Sequence, residues 1–336
     1  MSEVVVFPRQ RRGRPTATTA EVYQQALKAF CIAIREIASR LDFKVSSRGW
    51  CYILEEHGLG KGDFDAAQRL INDCRKTGLL PIGICAEDQS RLPTVWEEVT
   101  DEDPDDYADD WIRTLEEAHE SYTPIWFWDY QGYYVEMLVE KIDLKTLFSP
   151  VCGEFKVQIT NARGWSDINS RAAMMRRFKH WEGKGKICVL LYGGDHDPAG
   201  LSISDYLMAL FEEMKDHPEI DWDPSRLIIH RFGLNGDFID ANNLTWIDGL
   251  ETSSGEDLAD RTHKDHFKPY VQSYIQRFGA RKVEANALVV RPVEGRQLCR
   301  DAILEYVDED GIDAYEAALE EEREKARRAI AERMAS

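Results

Sequence analysis

Apolar residues recur at two different periods along this chain, and the change of period divides it. Between residues 19 and 41 they fall at Val22, Ala26, Phe30, Ile34 and Ile37, the spacing of an amphipathic helix with Thr19 as its N-cap. Ser46 and Ser47 cap a second helix that runs to Glu56 and stops at His57 and Gly58. A third helix is predicted over 63–77, with Phe64, Ala67, Leu70, Ile71 and Cys74 on one face and Gly78 as its stop signal. A short strand is predicted at 79–86. From Tyr133 the pattern changes: apolar runs at 135–140, 155–160, 187–192 and 227–232 read as strands. They alternate with helices at 143–148, 168–181 and 201–215, and a long charged helix closes the chain at 314–334.

Strand–helix alternation of this kind predicts an α/β fold with a mostly parallel sheet covered by helices. The predicted organisation is a basic arm (1–18), a helical domain (19–96), an acidic linker that is partly helical at 107–119 (97–120), a sheet domain (121–310) and a terminal helix (311–336). Three helices followed by a strand is the order of a winged helix-turn-helix, whose third helix reads a DNA groove. The polar face of that helix offers Gln68, Arg69, Asn72, Arg75 and Lys76. A small helical domain with a solvated face has the same order.

Composition narrows the class. Apolar residues make up 43% and charged residues 31%, which suits a globular chain with a sizeable core. No apolar stretch reaches the ~20 residues of a membrane span. The apolar start is too short for a signal peptide, so the cytoplasm is the expected location. Cysteines stand singly at 31, 51, 74, 85, 152, 188 and 299, without the paired spacing of a zinc ribbon. The net charge of −19 opposes non-specific binding to polyanions. That charge is uneven, however: acid gathers at 97–120 and 308–324, while Arg9, Arg11, Arg12 and Arg14 crowd the start. Arg12-Gly-Arg-Pro15 matches the core of a minor-groove hook; a generic flexible tail has the same composition.

The chemistry concentrates in Tyr192-Gly-Gly-Asp-His-Asp-Pro-Ala-Gly200. Asp195 and Asp197 sit on the loop after a buried strand, where ligands of open α/β sheets collect. Glu140 closes another apolar run upstream. An acid at one strand end and an Asp-x-Asp at another are hard oxygen donors for Mg2+ of the kind used on phosphodiesters. Other candidates are blander. Trp126, Phe127, Trp128, Tyr130, Tyr133 and Tyr134 could stack bases, but such a cluster is more often core at the start of a sheet. His263 and His266 lie in a polar, charge-rich stretch and read as a solvated face, and His196 alternates away from the aspartates.

Glu140-Lys141, Arg163-Gly164-Trp165 ahead of a helix bearing Arg171, and Asp195-His-Asp-Pro-Ala-Gly200 resemble the TOPRIM domain of the topoisomerase VI A subunit and the meiotic double-strand-break proteins. Arg231-Phe-Gly-Leu234, Ala241-Asn-Asn-Leu244 and Lys282-Val-Glu-Ala-Asn-Ala-Leu288 are similar to later blocks of that domain. The resemblance covers roughly 40–290. It implies a winged helix followed by TOPRIM, with Glu140, Asp195 and Asp197 binding magnesium. The family's nucleophilic tyrosine follows an arginine by four residues, as Tyr52 follows Arg48 here. Tyr52 would form a transient phosphotyrosyl link to double-stranded DNA, with Arg48 stabilising the charge. Cys51 stands where the family usually has a second aromatic. The resemblance also implies a homodimer with the tyrosine of one chain beside the metal of the other, a nucleoid-associated location, and a separate ATPase subunit in those systems that have one. The chain looks closest to the minimal A-subunit-like proteins of mobile elements. DNA would be gripped by Arg12 and Arg14, by Arg69, Arg75 and Lys76, and by Arg171, Arg176 and Arg177. Two other functions stay open: a hydrolytic TOPRIM nuclease with water as nucleophile, and a non-catalytic DNA-binding regulator.

Overall fold

Thr16 begins the first helix. In α1 (Ala17–Ala38) the Thr16 side chain accepts from the Thr19 N–H while Thr19 Oγ1 accepts from the Thr16 N–H. The cap expected at Thr19 therefore lies a turn earlier, because the two threonines satisfy each other's backbone donors. The computed structural model describes residues 5–9, 16–87, 101–162, 168–252 and 256–335. Ser46 caps α2 (Ser47–Glu56), and α3 (Phe64–Lys76) follows a short 3-10 turn. Leu27, Phe30 and Ile34 of α1, Trp50, Ile53 and Leu54 of α2, and Phe64, Ala67 and Ile71 of α3 share one core.

The strand expected at 79–86 does not form. Leu80 and Cys85 are buried, but Pro81 between them lacks a ladder donor and is followed by a 3-10 turn at Ile82–Ile84 that leaves Ile82 78% exposed, so the run folds as a turn rather than an extended strand. The described residues thus give three packed helices without the strand that a wing requires. α4 (Pro104–Glu117) starts three residues before the predicted 107, with Asp103 as its cap, and buries none of its residues.

β1 (Tyr133–Val139) leads into α5 (Ile142–Glu154), β2 (Gln158–Asn161), α6 (Ile168–Gly183) and β3 (Ile187–Gly193). After α7 (Pro198–Leu201) and α8 (Ile203–Glu212), β4 (Ile228–Arg231) completes a four-stranded sheet in the order β2-β1-β3-β4. All three pairings are parallel, as the alternation predicts. Helix 201–215 is split at Ser202, and helix 143–148 runs on through Pro150 to Glu154, shortening the strand predicted at 155–160. Successive β1 side chains identify the two faces. Met137 meets Cys152 of α5, whereas Tyr134 stacks on Trp181 of α6 and Glu136 binds Arg177 of α6. α5 and α6 therefore cover opposite faces, and β1 is buried on both.

Beyond the sheet come α9 (Gly236–Ala241), the strand pair β5 (Ile247–Asp248) and β6 (Arg281–Lys282) around α10 (Pro269–Phe278), then α11 (Pro292–Leu304) and α12 (Glu309–Met334). Among the described residues no helix is long and apolar enough to cross a membrane.

The helical core docks on the sheet through α2. Val289 joins the helical core, and the Ser46 N–H donates to Asp143 Oδ1 at 3.2 Å at the start of α5. Gly49 makes the approach possible: a Cβ there would lie 2.3 Å from Asp143 Oδ2. Gly49→Ala is expected to destabilise the protein by about 1–3 kcal/mol through overpacking. That outweighs the gain in helix propensity, roughly 1 kcal/mol at most. Asp143→Ala in the same chain should recover part of the loss. Urea melts of the two single variants and the double variant measure this coupling, and strictly additive losses would contradict it.

Candidate active site

The sheet order creates the cleft. The chain leaves β1 for β2 on one side and leaves β3 for β4 on the other, so the connections run apart and open a crevice over the C-terminal ends of β1 and β3, which stay paired. Glu140 follows β1, and its N–H still bonds Gly193 O at 3.0 Å. Its Oε2 accepts from the Asp195 N–H at 3.0 Å and lies 3.3 Å from the Tyr192 hydroxyl. Asp195, 5% exposed, accepts from the Ala285 N–H at Oδ1 (2.7 Å). Asp197 Oδ1 accepts from the Gly200 N–H at 2.6 Å. Gly200 has no room for a side chain, since a Cβ would lie 2.1 Å from Asp195 O. Arg231 holds the loop from below, donating to Asp195 O at 3.0 Å and to Gly200 O at 2.9 Å.

The three acids predicted from the sequence thus gather at one crevice, but they are not alone there. Lys141 Nζ lies 2.9 Å from Asp195 Oδ2, 3.3 Å from Glu140 Oε1 and 3.6 Å from Glu284 Oε2. Glu284 in turn pairs with Lys61 from the helical domain and with Lys282 of β6. Burial opposes the charge on Glu284, but Lys141, Lys61 and Lys282 outweigh it and hold the carboxyl down at about 2. Asp195 goes the other way. Burial pushes its carboxyl well above the usual range against the pull of Lys141, and Glu284, Glu140 and Asp197 add to the rise. Asp197 is also raised, mainly by burial, and no ion pair reaches it among the described residues. Glu55, on α2, has an Oε2 without a hydrogen-bond partner and is pushed up to about 7 by burial.

Tyr52 and Arg48 belong to the same place. Both project from α2, one turn apart. The Tyr52 ring meets Phe64 edge-on at 5.2 Å and carries Lys141 Nζ at 5.2 Å from its centroid. A cleft of about 350 Å³ is lined by Arg48, Tyr52, Glu140, Lys141 and Asn286. A second, of about 290 Å³, runs between Tyr52, Lys61 and the acids. The resemblance places the tyrosine across a dimer; within this single chain Tyr52 already borders the same clefts as Glu140 and Asp195. Arg48 is turned aside, over Phe64 and paired with Asp65 Oδ1 at 3.1 Å.

The other predicted contacts scatter. Arg69 and Lys76 are exposed on α3, Lys76 paired with Asp73, while Arg75 donates to Ile82 O at 2.9 Å. Arg176 pairs with Glu219 at 2.7 Å. Arg171 is buried against Leu210 O and Glu213, and borders a cleft of about 490 Å³ with Glu140 and Asp197. Arg177 is the correction: both its Nε and Nη2 are 2.7 Å from the carboxylate of Glu136, which is fully buried. Its guanidinium is committed to that buried acid, while 30% of the side chain stays exposed. Arg12, Arg14 and the 163–165 block lie outside the described residues.

Sequence reasoning missed Lys61, Lys141 and Glu284 as an interlocked group. Glu136 carried a usable signal, as one acid inside an otherwise apolar strand that needs a buried partner. His196 is core: Trp246, Tyr274 and Phe278 surround it, and Tyr274 Oη lies 2.9 Å from its Nδ1. Burial pushes its imidazole down to about 4, with Arg231 adding to the shift. A base whose folded value lies below its unfolded one costs stability as pH falls. The loss begins near the unfolded value of 6.5 and is complete near 4, roughly 3 kcal/mol in all. Urea melts between pH 7.5 and 4 should show a steeper decline in the wild type than in His196→Gln.

Among the described residues no three His, Cys, Asp or Glu side chains stand ready to hold a metal ion. Lys141 is interposed between Glu140 and Asp195. The donor set nonetheless suits a hard divalent cation. It is all oxygen, from the carboxyl groups of Glu140, Asp195, Asp197 and Glu284, with the ammonium groups of Lys61, Lys141 and Lys282 on the same walls. No family, no curated protein and no solved structure matches the chain.

Proposed function

We propose that the chain is a magnesium-dependent DNA-cleaving protein that works through a transient tyrosyl–DNA link, in the manner of the topoisomerase VI A subunits it resembles. The observation that carries this reading is the convergence of Tyr52 with Glu140, Asp195 and Asp197 on one crevice at the switch point of the sheet. Mg2+, when bound by these three acids, would neutralise charge on the scissile phosphate and on the oxygen that leaves it.

The rest falls to the chain's own groups. The Tyr52 hydroxyl attacks phosphorus, the bond from phosphorus to the 3′ oxygen breaks, and the hydroxyl proton ends on that oxygen. One ester replaces another, so resealing needs no external energy. Arg48 must leave Asp65 to meet the phosphate, a movement that an exposed pair allows at low cost. Lys141 must release Asp195 for the third acid to become available. Two copies of the chain would be needed to cut both strands, and any ATPase would be a separate protein.

A second reading keeps the acids and drops the tyrosine, with water as nucleophile. The pairing of Arg48 with Asp65, rather than a free position beside the Tyr52 hydroxyl, favours it. Trapping separates the two. Supercoiled plasmid, protein and magnesium are incubated, quenched in detergent and divided with and without protease. Broken DNA that carries protein supports the tyrosyl link; broken DNA with free ends supports the nuclease.

A further inference from the structure

Asn286 is 2% exposed, yet neither its amide nitrogen nor its amide oxygen has a hydrogen-bond partner among the described residues. Buried side-chain polar atoms in folded proteins nearly always have one. The backbone that carries this amide is also not loosely held. It lies in the 3-10 turn Ala285–Leu288, whose first N–H is fixed by Asp195 Oδ1 at 2.7 Å and whose Asn286 carbonyl accepts from the Val289 N–H at 3.0 Å. The same turn packs against α2. Asn286 therefore sits on a fixed backbone with its amide desolvated and unsatisfied. It forms part of the wall of the cleft of about 350 Å³ that Arg48, Tyr52, Glu140 and Lys141 also line.

We infer that Asn286 recognises a nucleobase edge in this cleft, next to the phosphate that Tyr52 attacks. The inference rests on the DNA reading above and adds a base-contacting residue to it. An amide offers a donor and an acceptor side by side. Phosphate oxygens supply acceptors alone and leave the amide oxygen unpaired. A base edge supplies both, and adenine presents its N6 and N7 to an asparagine in two parallel bonds. The cleft falls in the size range of small-molecule sites, large enough to take a base turned out of the stack. Arg48 and Lys141 bring positive charge to the same walls for the attached phosphate. The unpaired amide is then a group held ready at the expense of stability, as functional sites commonly are.

The test separates binding from packing. Labelled duplexes carrying one unpaired A, C, G or T are titrated in EDTA and followed by fluorescence anisotropy, alongside thermal melts. Wild type should prefer one base, adenine on the simplest pairing. Asn286→Leu should melt higher than wild type, because it removes an unsatisfied amide, while binding the preferred duplex about tenfold or more weakly and ranking the four bases equally. Asn286→Asp, which replaces the donor by an acceptor, should shift the ranking toward cytosine. If wild type binds the duplexes and both variants bind with its affinity and its ranking, Asn286 is a packing residue and the inference fails while the DNA reading stands. If wild type binds none of the duplexes, the DNA reading fails and takes this inference with it. Should Asn286→Leu not fold, the Asn286→Asp ranking decides alone.

Discussion

Tyr52→Phe is expected to give a folded protein that leaves no covalent adduct on DNA. The ring is what the fold uses: it meets Phe64 edge-on and lies against Lys141, and phenylalanine preserves both contacts. On the proposed reading the hydroxyl is what the chemistry uses, because without it no ester to phosphorus can form. Loss of a nucleophile removes several orders of magnitude of rate rather than a fraction of it. Adducts trapped by detergent should therefore fall to background, while the melting temperature moves by no more than a surface substitution would move it. Cleavage that survives in Tyr52→Phe and leaves free ends would transfer the reaction to water and leave Tyr52 as a wall of the cleft. A wild type that never cuts, with magnesium and DNA in excess, would remove both enzymatic readings.

The second large effect lies away from the cleft. Arg177→Ala is expected to cost roughly 3–5 kcal/mol of stability, the loss expected when a buried charge is left alone. Glu136 is fully buried and depends on two bonds from Arg177 and one from the Tyr134 hydroxyl at 2.8 Å. Burial already raises its carboxyl, and Arg177 is the main counterweight. Without that counterweight the folded value rises further above the unfolded 4.5. A carboxyl raised in the folded state gives its full stability below the unfolded value and loses it as pH climbs toward the folded one. The deficit of Arg177→Ala against wild type should therefore be small near pH 4 and grow from about pH 4.5 upward. Urea melts at pH 5 and pH 8 measure it. An unchanged stability with weakened DNA binding would return Arg177 to the surface role that the sequence suggested.

Those two residues mark how far the sequence could be read. Strands and helices at the sheet were legible because strand–helix alternation is written locally, in runs of Val, Leu and Ile broken by polar turns. The gathering of Glu140 and Asp195 was legible for the same reason: each closes an apolar run, and strand ends of a parallel sheet meet on one side. The strand predicted at 79–86 failed on a local point, since Pro81 and the exposed Ile82 do not suit an extended ladder. Arg177 and Lys141 failed on a global one. Arg177 read as a DNA contact and Lys141 only as part of a motif, and what occupies them are a carboxylate 41 positions away for Arg177 and, for Lys141, acids that follow β1, β3 and β6. Which charge finds which partner depends on how the strands are ordered. Asn286 lay inside the block Lys282–Leu288 that carries the resemblance, but nothing in the sequence set it apart there, because an asparagine beside alanines and a leucine resembles any turn.

Lys141 has a final implication. Many carboxylate clusters hold together only when a cation is present, so that loading and folding are one event. Here an ammonium from the chain itself bridges Glu140, Asp195 and Glu284. The chain's own ammonium thus offsets part of the charge of the cluster without any ion. On the proposed reading, readiness is then decided by exchange rather than by assembly. The tether of the departing lysine, one residue from Glu140, keeps it near enough to return whenever the ion leaves.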